Sequence, residues 1–233
     1  MTTTSCPGFQ ITRRSVLELS VLASWLGHAA RASESRFDFA AFGAACEDLV
    51  KEHLDQGALP EALLLRLAEA GARLDPPSVP RPSLGAFGSY DPKIYFGPVR
   101  RAPSLIMIEW KLEPNAVLPA HNHTPGLVLS LCIEGECWLQ HFELAGDAPE
   151  PGEAGAFRIR KTRAQLLRPG HATSLTPERD NIHTFRAGPR GALGIDLNIP
   201  LPGAGDWSMI AYEEGSPQGF EELHDARWTG KPA

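Results

Sequence analysis

The sequence predicts an all-β-dominated chain, a small barrel or sandwich of short strands, with a helical extension on its N-terminal side. Three observations carry that expectation. Gly (22) and Pro (21) together make about 18% of the 233 residues, above the roughly 12% background and below the roughly 25–30% that signals disorder. Beyond residue 104, short apolar runs alternate with turn clusters. Helical three- and four-residue apolar spacing instead marks residues 37–75. The 42% hydrophobic and 21% charged content is that of an ordinary globular protein. The net charge of −6 argues against a general binder of nucleic acid or anionic membranes, because such partners need a basic face.

The first element in chain order reads as an address. Thr12-Arg13-Arg14-Ser15-Val16-Leu17 opens a positive region, Ser15 to Ala30 is moderately apolar, and Ala30-Arg31-Ala32 follows. Charge, apolar run and A-x-A is the order of a cleavable export signal. The paired arginines resemble the twin-arginine class, which exports folded proteins; Val16 and Glu18 stand where that class has an aromatic residue and a lysine. A membrane anchor is disfavoured, since the run falls short of the roughly 20 residues needed and carries Glu18 and His28. The alternative is an attached amphipathic helix. The organisation expected is therefore 1–32 as export signal, 33–78 as helical extension and linker, and 79–233 as barrel. Export through the twin-arginine machinery to a bacterial periplasm follows, or a cytoplasmic location should the segment not be a signal. Removal of the segment leaves Cys46, Cys132 and Cys137, too few for a disulfide framework.

Two helices are predicted over about 37–75. Phe39, Phe42, Cys46, Leu49 and Val50 share one spacing, and Leu63, Leu67 and Leu74 continue it after Gly57-Ala58-Leu59-Pro60. They carry no evident chemistry and read as a packing flange or oligomer surface. The proline-rich stretch 76–82 marks a junction. Strand-like runs are then 104–111, 126–133, 136–143, 164–168 and 191–198, with a loop at 145–156. Glu134-Gly135 reads as a hairpin turn, which would set Cys132 opposite Cys137 as a candidate disulfide, or simply as two small apolar residues.

The chemistry concentrates in histidines. In the extended segment Pro119-Ala120-His121-Asn122-His123, residues i and i+2 project to one face, so both imidazoles could reach one metal ion; equally, both could be barrel-mouth residues without one. His183, in Asp180-Asn181-Ile182-His183-Thr184-Phe185-Arg186, follows about sixty residues later. His141 shares a strand with Trp138 and Phe142 but points to the opposite face and reads as structural. His171 sits in a loop, and His53 and His224 read as solvent-facing.

The stretch Pro114–Gly135, with an H-x-H and a glycine turn beyond it, resembles the first motif of the cupin superfamily. The resemblance implies a double-stranded β-helix barrel in which His183 supplies the last metal ligand. The usual cupin glutamate would fall at Leu127 or Val128, so a two-His-one-carboxylate iron site is poorly supported and a three-His site is favoured. More narrowly, Leu118–Leu131, Asn181-Ile182-His183-Thr184-Phe185 and Ile195-Asp196-Leu197 resemble the thiol dioxygenases that include 2-aminoethanethiol dioxygenase and the plant cysteine oxidases. That likeness spans about residues 94–214. It implies a mononuclear non-haem Fe(2+) held by His121, His123 and His183. It also implies catalytic roles for Asp196 and Tyr212, a small thiol and O2 as partners, and a sulfinate product. Three neutral imidazoles leave the ion its full charge, which favours an incoming thiolate. Rival readings are a cupin enzyme of another reaction type and a non-catalytic ligand-binding cupin.

Overall fold

The computed structural model describes residues 36–56, 60–82, 93–123, 126–151, 153–202, 208–213 and 222–230. The predicted export signal, 1–32, lies outside the described residues. The chain divides into residues 1–36 and 37–233, and every element named below belongs to the second unit.

Helix α1 (Phe39–Gln56) begins where Asp38 accepts the Ala41 N–H at 2.8 Å, a side-chain N-cap that satisfies one of the otherwise unpaired first-turn donors. Helix α2 (Pro60–Ala72) has proline at its first position, where no N–H is needed. The strands are β1 (Ile94–Phe96), β2 (Arg100–Arg101), β3 (Ile106–Leu112), β4 (Val117–Asn122), β5 (Gly126–Leu144), β6 (Ala156–Leu167), β7 (Ala172–Leu175), β8 (Ile182–Pro200), β9 (Met209–Tyr212) and β10 (Leu223–Gly230).

Strands β5 and β8, 19 residues each, pair antiparallel from Gly126–Pro200 to Phe142–Ile182. Along β8, β3 pairs the C-terminal half and β4 the N-terminal half. Along β5, β7 and β6 divide the length in the same way. Each long ribbon bends midway, so its halves fall in two facing layers. Strands β9 and β10 link β4 to β6 and close the second layer into a barrel. This is the double-stranded β-helix architecture, with the two helices laid on its first layer.

The hairpin expected at Glu134-Gly135 is not formed. The chain runs through those residues as one strand, with Gly135 opposite Ala192 between two register shifts. Gly135 has φ 72°, and a Cβ there would lie 2.1 Å from the Gly191 carbonyl oxygen. A bend in paired ribbons and a tight turn both require glycine's positive φ, so the two read alike in sequence. Cys132 and Cys137 consequently oppose Gly194 and Ala187 rather than each other. Both thiols are free, and burial pushes that of Cys132 up to about 12.

Strand alternation assigns the core. Leu127, Leu129, Leu131 and Ile133 of β5, with Leu193, Ile195, Leu197 and Ile199 of β8, pack against Phe42, Cys46 and Val50 of α1 and Leu63, Leu64 and Leu67 of α2. Each such buried side chain contributes about 1.5–3 kcal/mol, which makes the helices an integral layer, the packing flange expected from sequence. The opposite faces point between the layers, where Trp110 meets Phe185 with ring centroids 5.2 Å apart. Both faces of the first half of β5 are therefore covered, and it reads as a continuous apolar run instead of alternating. A third cluster, including Phe142, Ile159, Ile182 and Ile210, fills the closed ring.

Candidate metal centre

Strand β4 was not among the runs predicted from sequence, because Pro119 interrupts its pattern. The β4–β8 ladder shifts register between Leu118 and His121, as expected where proline removes a donor. The Thr184 hydroxyl donates to the Leu118 carbonyl at 2.8 Å across that gap. Beyond the shift, His121 lies directly opposite His183. His123 follows the strand end, its N–H donating to the Asn181 carbonyl at 3.2 Å. Backbone pairing thus delivers all three imidazoles to one place.

The His183 Nε2 is 2.9 Å from the His121 Nε2 and 3.0 Å from the His123 Nε2. The ligand atoms of the three residues all fall within 4.8 Å of one another, and among the described residues no carboxylate or thiol joins the group. The His121 Nδ1 lies 2.9 Å from the Pro119 carbonyl oxygen. A carbonyl only accepts, so Nδ1 carries the proton and Nε2 presents its lone pair to the centre. His123 hydrogen-bonds Asn198, which comes from the facing layer.

Electrostatics keep these rings neutral. Burial lowers His121 to about 4. His123 and His183 are pushed well below the ordinary imidazole range by burial first and then by neighbouring imidazoles. Part of His123 remains accessible at the rim, but its ring is turned inward and enclosed. Three neutral imidazoles whose Nε2 atoms converge suit a first-row divalent ion.

The sequence-derived acid, Asp196, is buried on the inner face of β8. Its carboxylate accepts the Trp110 Nε1–H at 2.9 Å. Burial raises its pKa to about 6, with Ser130 and Trp110 as hydrogen-bonding neighbours opposing the rise. Asn198, two residues on, shares its face, so Asp196 and Asn198 line the layer opposite the histidines. Tyr212 is placed elsewhere. Its ring packs on Phe142 and His224, at 5.1 and 5.2 Å between centroids, and its hydroxyl donates to the Gln140 Oε1 at 3.4 Å. Phe142 follows His141 on β5 and so faces the opposite way; Tyr212 belongs to the cluster inside the ring.

His224 is corrected. It is 3% exposed, because the pairing of β9 with β10 folds it onto Tyr212, and its Nδ1 bonds the Glu213 carbonyl at 3.1 Å. Three inward polar groups were missed from sequence: Asn198, Thr173 and the placement of His141. His141 lies directly opposite His183 on the β5–β8 ladder, so His121, His183 and His141 form a row across three strands. Its orientation away from Trp138 was legible from strand parity, but its neighbours depend on which strands pair.

No family model and no curated protein matches the chain. Among solved structures, it is similar to KdgF from Halomonas sp., at 21% identity and TM-score 0.35 over 50% of this chain and 89% of that one. It is also similar to a double-stranded β-helix protein from Klebsiella pneumoniae, at 16% identity and TM-score 0.38 over 58% and 88%. An oxalate oxidase is matched at 14% identity and TM-score 0.31 over 41% of this chain and 42% of that one. The double-stranded β-helix architecture, with its inward three-histidine group, rests on the strand pairing and side chains above.

Proposed function

We propose that this chain is a mononuclear non-haem iron enzyme that adds both atoms of O2 to a small thiol, giving a sulfinate. The observation that carries this reading is the convergence of three neutral imidazoles with no carboxylate among them. His121, His123 and His183 would hold the ion, and their neutrality preserves its full charge for an anionic sulfur ligand. When bound, Fe2+ supplies the coordination positions for thiolate and O2 and the redox chemistry between them.

The remaining steps belong to the protein. The Pro119 carbonyl fixes the His121 tautomer, and Asn198 holds the His123 ring. Trp110 and Phe185 wall one side of the interlayer space against water. Asp196, pinned by Trp110, offers a carboxyl oxygen able to hold or release a proton near neutrality. A twin-arginine route agrees with this reading, since loading before export avoids competition from Cu2+ and Zn2+ for imidazole donors.

The test is metal analysis of freshly purified chain, followed by O2 uptake with cysteamine, cysteine and an N-terminal-Cys peptide. Iron with thiol-dependent uptake supports the reading. Zinc, nickel or no metal, with no uptake after iron reconstitution, overturns it.

A further inference from the structure

The inner row of imidazoles continues past the three ligands to His141, a side chain with 0% exposure. Its Nε2 is 2.8 Å from the Thr173 Oγ1. Thr173 stands on β7 in the first layer, whereas His141 stands on the second half of β5 in the other. The bond therefore spans the two layers beside the centre. On its other side the His141 Nδ1 has no hydrogen-bond partner among the described residues, with the Asp180 Oδ2 3.9 Å away. Asp180 is itself held by the Thr162 hydroxyl and by Arg179 at 3.7 Å, in a positive-φ conformation (58°) three residues before His183. The His141 and His183 rings meet edge-on with centroids 6.3 Å apart, and Phe185 also packs edge-on against His183, at 4.5 Å.

A buried imidazole with one unpaired nitrogen is costly unless its place is needed. A leucine or phenylalanine would fill the same volume without that cost. Burial, with Arg163 and Arg179 nearby, holds His141 at about 3, so the ring is neutral and is not placed as a counter-charge. Its nitrogens also stand outside the converging ligand group, so it is not a fourth ligand.

We propose that His141 is a positioning residue of the metal centre: tied to Thr173 across the layers, its ring braces that of His183 and sets the interlayer gap in which a ligand of the metal must fit. This rests on the three-histidine metal reading but not on thiol turnover. Partners behind the ligands commonly change metal affinity about 10–100-fold when removed, and the effect here should be of that order.

The test uses the full chain, metal-free, titrated with Co2+, whose visible absorption reports ligand geometry. Thr173→Val removes the hydroxyl at nearly constant volume, and His141→Phe keeps the ring while losing the bond. Both should weaken Co2+ binding by about tenfold or more and shift the absorption bands, and Thr173→Ser should restore both. The double variant should be no worse than the His141 variant alone, because the two act through one bond. A lowered melting temperature with unchanged bands and affinity would overturn the proposal, leaving His141 a packing residue. Wild-type protein that binds no Co2+ would overturn the metal reading and this proposal together. Normal Co2+ effects without thiol-dependent O2 uptake would support the proposal while removing only the dioxygenase reading.

Discussion

His121 on β4 and His183 on β8 are direct cross-strand partners, and their Nε2 atoms stand 2.9 Å apart. His183 is the ring that both other imidazoles approach, its Nε2 lying 3.0 Å from the His123 Nε2 as well. That relationship makes His183 the most sensitive position of the centre. His183→Ala should reduce metal content to below about a tenth of the wild-type stoichiometry, read by elemental analysis after gel filtration. Retention of full metal would remove His183 from the ligand set.

The pH dependence of the metal-free protein has a sign fixed by burial. His121 at about 4 and His141 at about 3 are neutral in the fold, whereas unfolded histidine takes a proton near 6.5. The unfolded chain then binds more protons, so stability falls as pH drops from about 6.5 towards 4. His123 and His183 act in the same direction. Urea midpoints should decrease steadily over that window without metal. Bound metal should hold the midpoint up until protons displace it.

Asp196 works in the opposite direction. Its folded pKa is raised from 3.8 to about 6, so its stabilising contribution is complete below 3.8 and lost as pH rises through 6. Asp196→Asn removes that titration while keeping an oxygen for Trp110. The stability of the Asp196→Asn variant relative to wild type should therefore improve between pH 4 and 7, by on the order of 3 kcal/mol. A pH-independent difference in urea unfolding would show that Asp196 is solvated.

The ribbon bend rests on Gly135. Alanine there meets both a φ of 72° and the Gly191 carbonyl oxygen at 2.1 Å, and should cost well over the roughly 1–2 kcal/mol of a left-handed residue alone. Gly146 also has positive φ, 96°, but a Cβ there meets nothing within 4 Å. Gly146→Ala should cost only about 1 kcal/mol. Thermal melts of the two variants side by side provide the comparison.

What was legible in the sequence was local. The stripe Phe42, Cys46 and Val50 announced a helix, and the apolar runs around Leu129 and Ile195 announced strands. The i, i+2 spacing of His121 and His123 announced a shared direction, and His183 stood out through its flanking block. What was not legible depended on which ribbons pair. Gly135 bends a continuous strand where a turn looked equally good, and β4 hides behind Pro119. His224 is covered only because β9 lies on β10. His141, Thr173 and Asn198 come from three strands that share no motif, and only the facing of the two layers brings them around the histidines.

The central claim is tested most directly by anaerobic reconstitution with one Fe2+ per chain, then reaction of a small thiol with isotopically labelled O2. The expected product is a sulfinate carrying both labelled oxygen atoms, lost in the His183→Ala protein. Unreacted thiol, or a simple disulfide with no label on sulfur across cysteamine, cysteine and N-terminal-Cys peptides, would contradict it.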